Sequence, residues 1–182
     1  MNLKVWARTL MTIQKYLERI CNSIDACIEK KATASMYVNT KNFFQNDSLS
    51  VSNWMIEMGE RKVNLINLNV ICLNALKSID KTHAKILALK YFDRMQSADI
   101  SSLLGISERT YFRKLNAAYE SLESWLLKNG YDAEYFVTKL QNEGWITEVY
   151  YETQRLMSSN QTKYSVLAIT PLYLEKVCRA IK

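Results

Sequence analysis

Ile100-Ser101-Ser102-Leu103-Leu104-Gly105-Ile106-Ser107-Glu108-Arg109-Thr110-Tyr111-Phe112-Arg113-Lys114-Leu115-Asn116-Ala117-Ala118-Tyr119-Glu120-Ser121-Leu122 is the stretch whose reading organises the whole chain. Its apolar residues predict two helices joined by a tight turn. Ser97 can cap a short helix that ends at Leu104, and Ser107 can cap a long one that ends near Asn129, with Gly130 at the C′ position. Ile100 and Leu104 face a core. Gly105 falls where the turn needs a residue that tolerates positive φ. Ile106 plugs the gap between the helices. Tyr111, Leu115, Ala118 and Leu122 follow at four- and three-residue steps and form a buried stripe.

The other side of the second helix carries a different chemistry. At about 100° per residue, Arg109, Arg113 and Asn116 share the outward arc, with Phe112 at its edge. Glu108, in the open first turn, can also reach outward. Arginine pairs bidentately with guanine, asparagine with adenine and glutamate with cytosine, and an aromatic edge can meet a thymine methyl. Lys114 on the flank suits a phosphate. Gln96 and Ser97, at the start of the short helix, can offer N–H groups to a nucleic-acid backbone. Ser107 and Thr110 hold the opening turn beside the bases. Ten candidate DNA-binding residues follow: Gln96, Ser97, Ser107, Glu108, Arg109, Thr110, Phe112, Arg113, Lys114 and Asn116.

The stretch resembles the helix-turn-helix of sigma-factor region 4 and of related response-regulator output domains, through Ile100, Leu104, Gly105, Ile106, Ser107, Thr110, Leu115, Ala118 and Leu122. Tyr111 departs from the Val or Ile usual there. Upstream, Leu73-Asn74-Ala75-Leu76-Lys77-Ser78-Ile79-Asp80 and Ala84-Lys85-Ile86-Leu87-Ala88-Leu89-Lys90-Tyr91-Phe92-Asp93 are similar to the lead-in of that region. The same pattern occurs in sigma-like late-transcription regulators of phages of Gram-positive bacteria (the ArpU and RinA types), whose N-terminal helix is also long. The similarity covers about residues 65–125. It implies a transcription regulator that places the helix of about 107–129 in the major groove of double-stranded DNA, with RNA polymerase as a further partner. No region-2 promoter-melting segment is visible.

Working outward, residues 3–31 predict one long helix. Trp6, Leu10, Ile13, Leu17, Ile20, Ile24 and Cys27 recur in an a/d pattern over three heptads. Gln14, Tyr16, Cys21 and Ser23 flank it without charge, so nothing there selects a partner helix. The stripe serves either packing within its own chain or a homodimer seam. Residues 33–53 read as a linker that partly docks, and Gly59 as a break before a helix over 61–78. That helix is apolar nearly all round and should be central and buried. Asp80 or Thr82 can cap a helix from about Lys81 to Asp93. Beyond Gly130 the chain reads as helical to about Asn142 and again from Trp145 to Leu156. Residues 158–163 read as a loop, and Pro171 can start a last short helix ending at Ile181. The expected organisation is a long N-terminal helix and linker (1–60), a helix-turn-helix domain (61–130) and a helical C-terminal extension (131–182).

Composition fits an all-α fold, a helical bundle that contains a tri-helical helix-turn-helix unit. The 182 residues include four glycines and one proline, too few for the turns of a sheet protein. With no apolar run near the ~20 residues of a membrane span and an N-terminus too mixed in charge for a secretory leader, a cytoplasmic protein is expected. The net charge of +6 is uneven: residues 1–45 carry seven Lys/Arg against three Asp/Glu, and residues 83–129 seven against five. That bias attracts phosphates.

Catalysis and metal binding find little footing. The cysteines (Cys21, Cys27, Cys72, Cys178) form no C-x-x-C pair, and His83 is the single histidine. A structural zinc site needs four clustered ligands, so no metal and no cofactor are expected. Reduced, mostly buried thiols fit the cytosol. No phosphate-cradling glycine loop and no paired-carboxylate motif occurs, and the chain reads as no enzyme. Tyr131, Tyr135, Phe136, Trp145, Tyr150 and Tyr151 can stack on single-stranded bases. Their helical spacing and balanced charge favour packing instead. The competing reading of the whole chain is a protein–protein adaptor, anti-sigma-like or polymerase-binding, that uses the sigma-like surface without touching DNA.

Overall fold

The a/d stripe of the N-terminal helix is spent inside the chain. In the computed structural model, which describes residues 2–39 and 46–158, α1 runs Leu3–Asn39 and α2 Asn46–Ser78. Trp6, Leu10, Ile13, Leu17, Ile20 and Ile24 are all buried, and Cys27 is half-buried. Of the two uses open to this stripe, intramolecular packing is the one observed. No seam on it is free for a second copy in this conformation.

Asn2 caps α1. Its Oδ1 accepts from the Lys4 N–H at 2.8 Å, and its carbonyl accepts from Val5 and Trp6. The backbone N–H of Asn2 donates to the Tyr150 hydroxyl at 2.6 Å, tying the chain start to its distant C-terminal part.

α1 and α2 form an antiparallel pair. Met11 meets Cys72, Gln14 donates to Asn69, and Lys62 donates to Asp25. Both helices extend further than the sequence suggests. The expected linker of 33–53 is largely helix, with residues 40–45 outside the described part. Gly59 lies within α2 and does not break it; its helical cost of about 1 kcal/mol is small beside the packing of Met58, Leu65 and Leu68. Nor is α2 buried all round. Met58, Leu65, Leu68, Ile71, Cys72 and Ala75 face the core, while Leu49, Ile56, Val63, Ile66, Val70 and Leu73 form an exposed apolar stripe.

Three shorter helices follow: α3 (Lys81–Tyr91), α4 (Ser97–Leu104) and α5 (Glu108–Lys128). Asp80 caps α3 by accepting from the Thr82 and His83 N–H groups. The helix stops at Tyr91, earlier than the sequence suggests. Phe92 and Asp93 both return their N–H groups to Ala88, and Arg94 then adopts φ 54°. α3 and α4 pack on α5, and α5 leans in turn on α1 and α2.

α6 (Ala133–Lys139) and α7 (Gly144–Ser158) complete the described bundle. Phe136 stacks on Trp6 at 5.3 Å and Tyr150 lies tilted against it at 4.6 Å between ring centres. The buried Glu143, between α6 and α7, binds Arg61 of α2 through both oxygens and accepts from the Trp145 indole N–H at 2.7 Å. Hence Phe136, Trp145 and Tyr150 are packing residues, while Tyr151 is exposed. The last helix expected after Pro171, the loop beyond Ser158 and Cys178 lie outside the described residues. All seven helices are α, and no strand occurs among the described residues. No helix there is long and apolar enough to cross a membrane.

Candidate nucleic-acid interface

The turn between α4 and α5 has the geometry its residues dictate. Gly105 sits at φ 63°, ψ 33°, in the left-handed region, and the Ile106 N–H returns to the Ser101 carbonyl at 3.0 Å. This closes α4 and swings the chain at once into α5. The Ser107 hydroxyl accepts from the Thr110 N–H at 3.2 Å and lies 2.9 Å from the Thr110 hydroxyl. Both polar side chains of the opening turn are therefore committed to capping.

Tyr111, Leu115, Ala118 and Leu122 are buried, and Tyr119 and Leu126 join them. Tyr111 sits edge-on to Phe112, and burial pushes its phenol up to about 12. The space given by Val or Ile in the sigma-like pattern is filled here by a ring that stays inside.

With that face fixed, the rest of α5 follows by rotation. Glu108, Arg109, Arg113 and Asn116 are exposed, and Phe112 and Lys114 are half-buried beside them. Neither arginine takes part in an ion pair among the described residues. Gln96 is exposed at the start of α4 and Ser97 is half-buried, its carbonyl accepting from the Ser101 hydroxyl. The structure thus puts Arg109, Arg113 and Asn116 on the exposed side of α5, opposite its buried stripe, with Glu108 exposed in the first turn. The exposed Leu103 adds apolar surface on α4.

His83 is half-buried, its Nδ1 3.3 Å from the Ser121 hydroxyl. No group of metal-binding side chains occurs among the described residues. Cys21, Cys27 and Cys72 are free thiols, and burial pushes the Cys72 thiol up to about 12.

A second basic group was not legible in the sequence. Arg8 and Lys15 of α1 meet Lys90 of α3 and Arg94 of the α3–α4 connection around Tyr16, Tyr91 and Tyr119. The Arg8 guanidinium lies 4.3 Å from the Tyr119 ring centre, and the Arg94 guanidinium donates to the Tyr16 hydroxyl at 2.6 Å. Tyr91 and Tyr119 share a hydrogen bond of 2.6 Å. The residues come from separate parts of the chain, so only the i, i+7 spacing of Arg8 and Lys15 was visible beforehand.

Residues 56–123 match the model of a family described as "Protein of unknown function (DUF1492)". No curated protein and no solved structure matches the chain. The matched span runs from within α2 through α3 and α4 to most of α5, and so takes in the whole exposed face built on Arg109, Arg113 and Asn116.

Proposed function

We propose that the protein is a sequence-specific double-stranded-DNA-binding transcription regulator, sigma-like and of the phage late-regulator kind, that inserts the first turns of α5 into the major groove. The observation that carries this reading is the exposed set of Arg109, Arg113 and Asn116 on a helix whose opposite face is fully buried. A rigid helix with two unpaired guanidinium groups near its N-terminus suits base-edge recognition. Lys114 and the α4 N-terminus flank it where backbone phosphates would run. The role is binding, and no step of catalysis is assigned to it.

A single such helix reads only a few base pairs, so a partner completes the affinity. A second copy or RNA polymerase fills that role. The α1 heptads are buried and unavailable; the exposed stripe of α2 offers the larger apolar surface.

In vitro selection of bound duplexes from a random pool tests the reading. The expected result is an enriched motif, whose binding Arg113→Ala weakens by about 1–3 kcal/mol with relaxed preference at one position. An Arg109/Arg113 double alanine variant that binds the motif as wild type does would remove α5 as the reader. Absence of duplex binding together with capture of RNA polymerase would favour the adaptor.

A further inference from the structure

We infer that Arg8, Lys90 and Arg94, backed by Lys15, form a phosphate site that grips the DNA backbone beside the recognition helix, so that the N-terminal helix is part of the DNA-binding surface. The inference rests on the DNA-binding reading above and assigns a role to residues outside the helix-turn-helix.

The first support is geometric. Arg8 and Lys15 lie seven residues apart on one face of α1, about 10 Å along its axis. Lys90 stands 5.9 Å from the Tyr119 ring centre that Arg8 also covers, and Arg94 reaches the Tyr16 hydroxyl next to Lys15. The four cations therefore sit as two neighbouring pairs, Arg8 with Lys90 and Lys15 with Arg94.

The second support is the missing counter-charge. The ion pairs among the described residues are Arg61–Glu143, Lys62–Asp25 and Arg155–Glu152, and none involves these four. Arg8 Nε and Lys15 Nζ are buried with no hydrogen-bond partner. Tyrosine faces attract cations but leave their N–H groups unmatched. Burial holds the Lys15 and Lys90 ammonium groups down at about 8, and the like-charged Arg94 and Arg8 push the same way. Arg94 is exposed and Arg8, Lys15 and Lys90 are half-buried, so three partly desolvated cations stand without a carboxylate, an arrangement that an anion stabilises. An oxyanion with several acceptor oxygens meets that need, and guanidinium groups match phosphate well.

The third support is position. Arg94 keeps a side chain at φ 54°, where glycine is the comfortable residue, in the connection that leads directly into Gln96 and Ser97. Backbone strain of this kind collects at functional sites. The start of α3 lies against Ser121 and its end against Tyr119, both near the middle of α5. The end of α3 is thus placed beside α5 three residues beyond Asn116. In the homeodomain, also a three-helix unit, the loop joining the first two helices touches the backbone.

The test uses the full chain and a fluorescently labelled duplex carrying the selected motif, with binding followed by anisotropy across a salt series. Arg94→Gln and Lys90→Gln are compared with Arg94→Lys and wild type, after circular dichroism confirms their folding. The expected result is a salt slope shallower by about 0.9 for each phosphate contact removed, unchanged motif preference, and recovery in Arg94→Lys. Wild-type slope and affinity in both glutamine variants, alongside lost binding in the Arg109/Arg113 double variant, would overturn the site while leaving the recognition helix intact. A wild-type chain that binds no duplex removes the underlying reading and the site with it. Titration with inorganic phosphate at constant ionic strength separates the sources. Saturable phosphate binding that Arg94→Gln abolishes, with no change in the DNA salt slope, assigns the site to a free anion and overturns the DNA contact.

Discussion

Gly105 and Arg94 are the two described turn residues, besides Gly130, with positive φ, and they make opposite predictions. A Cβ at Gly105 would meet nothing within 4 Å, so the penalty for a side chain there is purely conformational. Gly105→Ala should lower stability by about 1–2 kcal/mol, and Gly105→Asn by clearly less, since asparagine tolerates the left-handed region. Urea unfolding midpoints read the difference. Arg94→Gly should raise stability by up to about 1 kcal/mol and, on the proposed DNA-binding reading, weaken duplex binding.

The lysines give a pH prediction. Lys15 and Lys90 have folded values near 8, below the ordinary 10.5 of the unfolded chain. Above about pH 8 the folded state binds fewer protons than the unfolded state, so stability rises with pH. The rise should turn over above about pH 9–10, where the thiols of Cys21 and Cys72 and the phenols of Tyr91, Tyr111 and Tyr119, all raised by burial, resist ionisation in the folded state. Melting temperatures from pH 7 upward measure this curve. A Lys15→Met/Lys90→Met variant should lose the rise and keep the fall.

Some helix ends were legible because capping is local chemistry; Ser97 is an exception, since Gln96 takes the N-cap position of α4 without a side-chain hydrogen bond. Asp80, Ser107, Gly105 and Gly130 each do in the structure what their side chains, or lack of one, prescribe. The buried stripe of α5 was legible for the same reason: four residues at helical spacing define one face without reference to anything distant. Which face of α2 is buried was not legible, because an all-round apolar helix carries no periodicity to read. Its orientation is set by the partner, here the α1 stripe. The same contrast separates two sets of apolar side chains. Ile20→Asp, in the core, should destabilise by at least about 4 kcal/mol, whereas Val63→Ser or Val70→Ser on the exposed stripe should stay within about 0.5 kcal/mol. Thermal melts compare them directly. A mild effect of Ile20→Asp would show that α1 is not anchored as described.

The described molecule is held together by contacts between segments distant in sequence. Glu143 is the clearest single tie: it is 2% exposed, bound by Arg61 from α2 and by the Trp145 indole. Glu143→Ala leaves the Arg61 cation and an indole N–H without their acceptor and should destabilise by about 3–5 kcal/mol, read by chemical denaturation. Glu143→Gln should cost less by retaining an acceptor for the indole. The basic group around Tyr119 belongs to this scale too. It joins α1, α3 and α5, and no local pattern reveals a site assembled from three helices.

The hydrogen bond from Asn2 to Tyr150 has a consequence during synthesis. The ribosome makes residue 2 first, and its partner emerges 148 residues later. At roughly 5–20 residues per second, the delay is on the order of ten seconds. Through that interval the stripe can pair with α2, but its Trp6 end has no Tyr150 to lie against and stays open to chaperones or to neighbouring nascent chains. The helices from α2 to α5 are thus translated before the last support of α1 has been made.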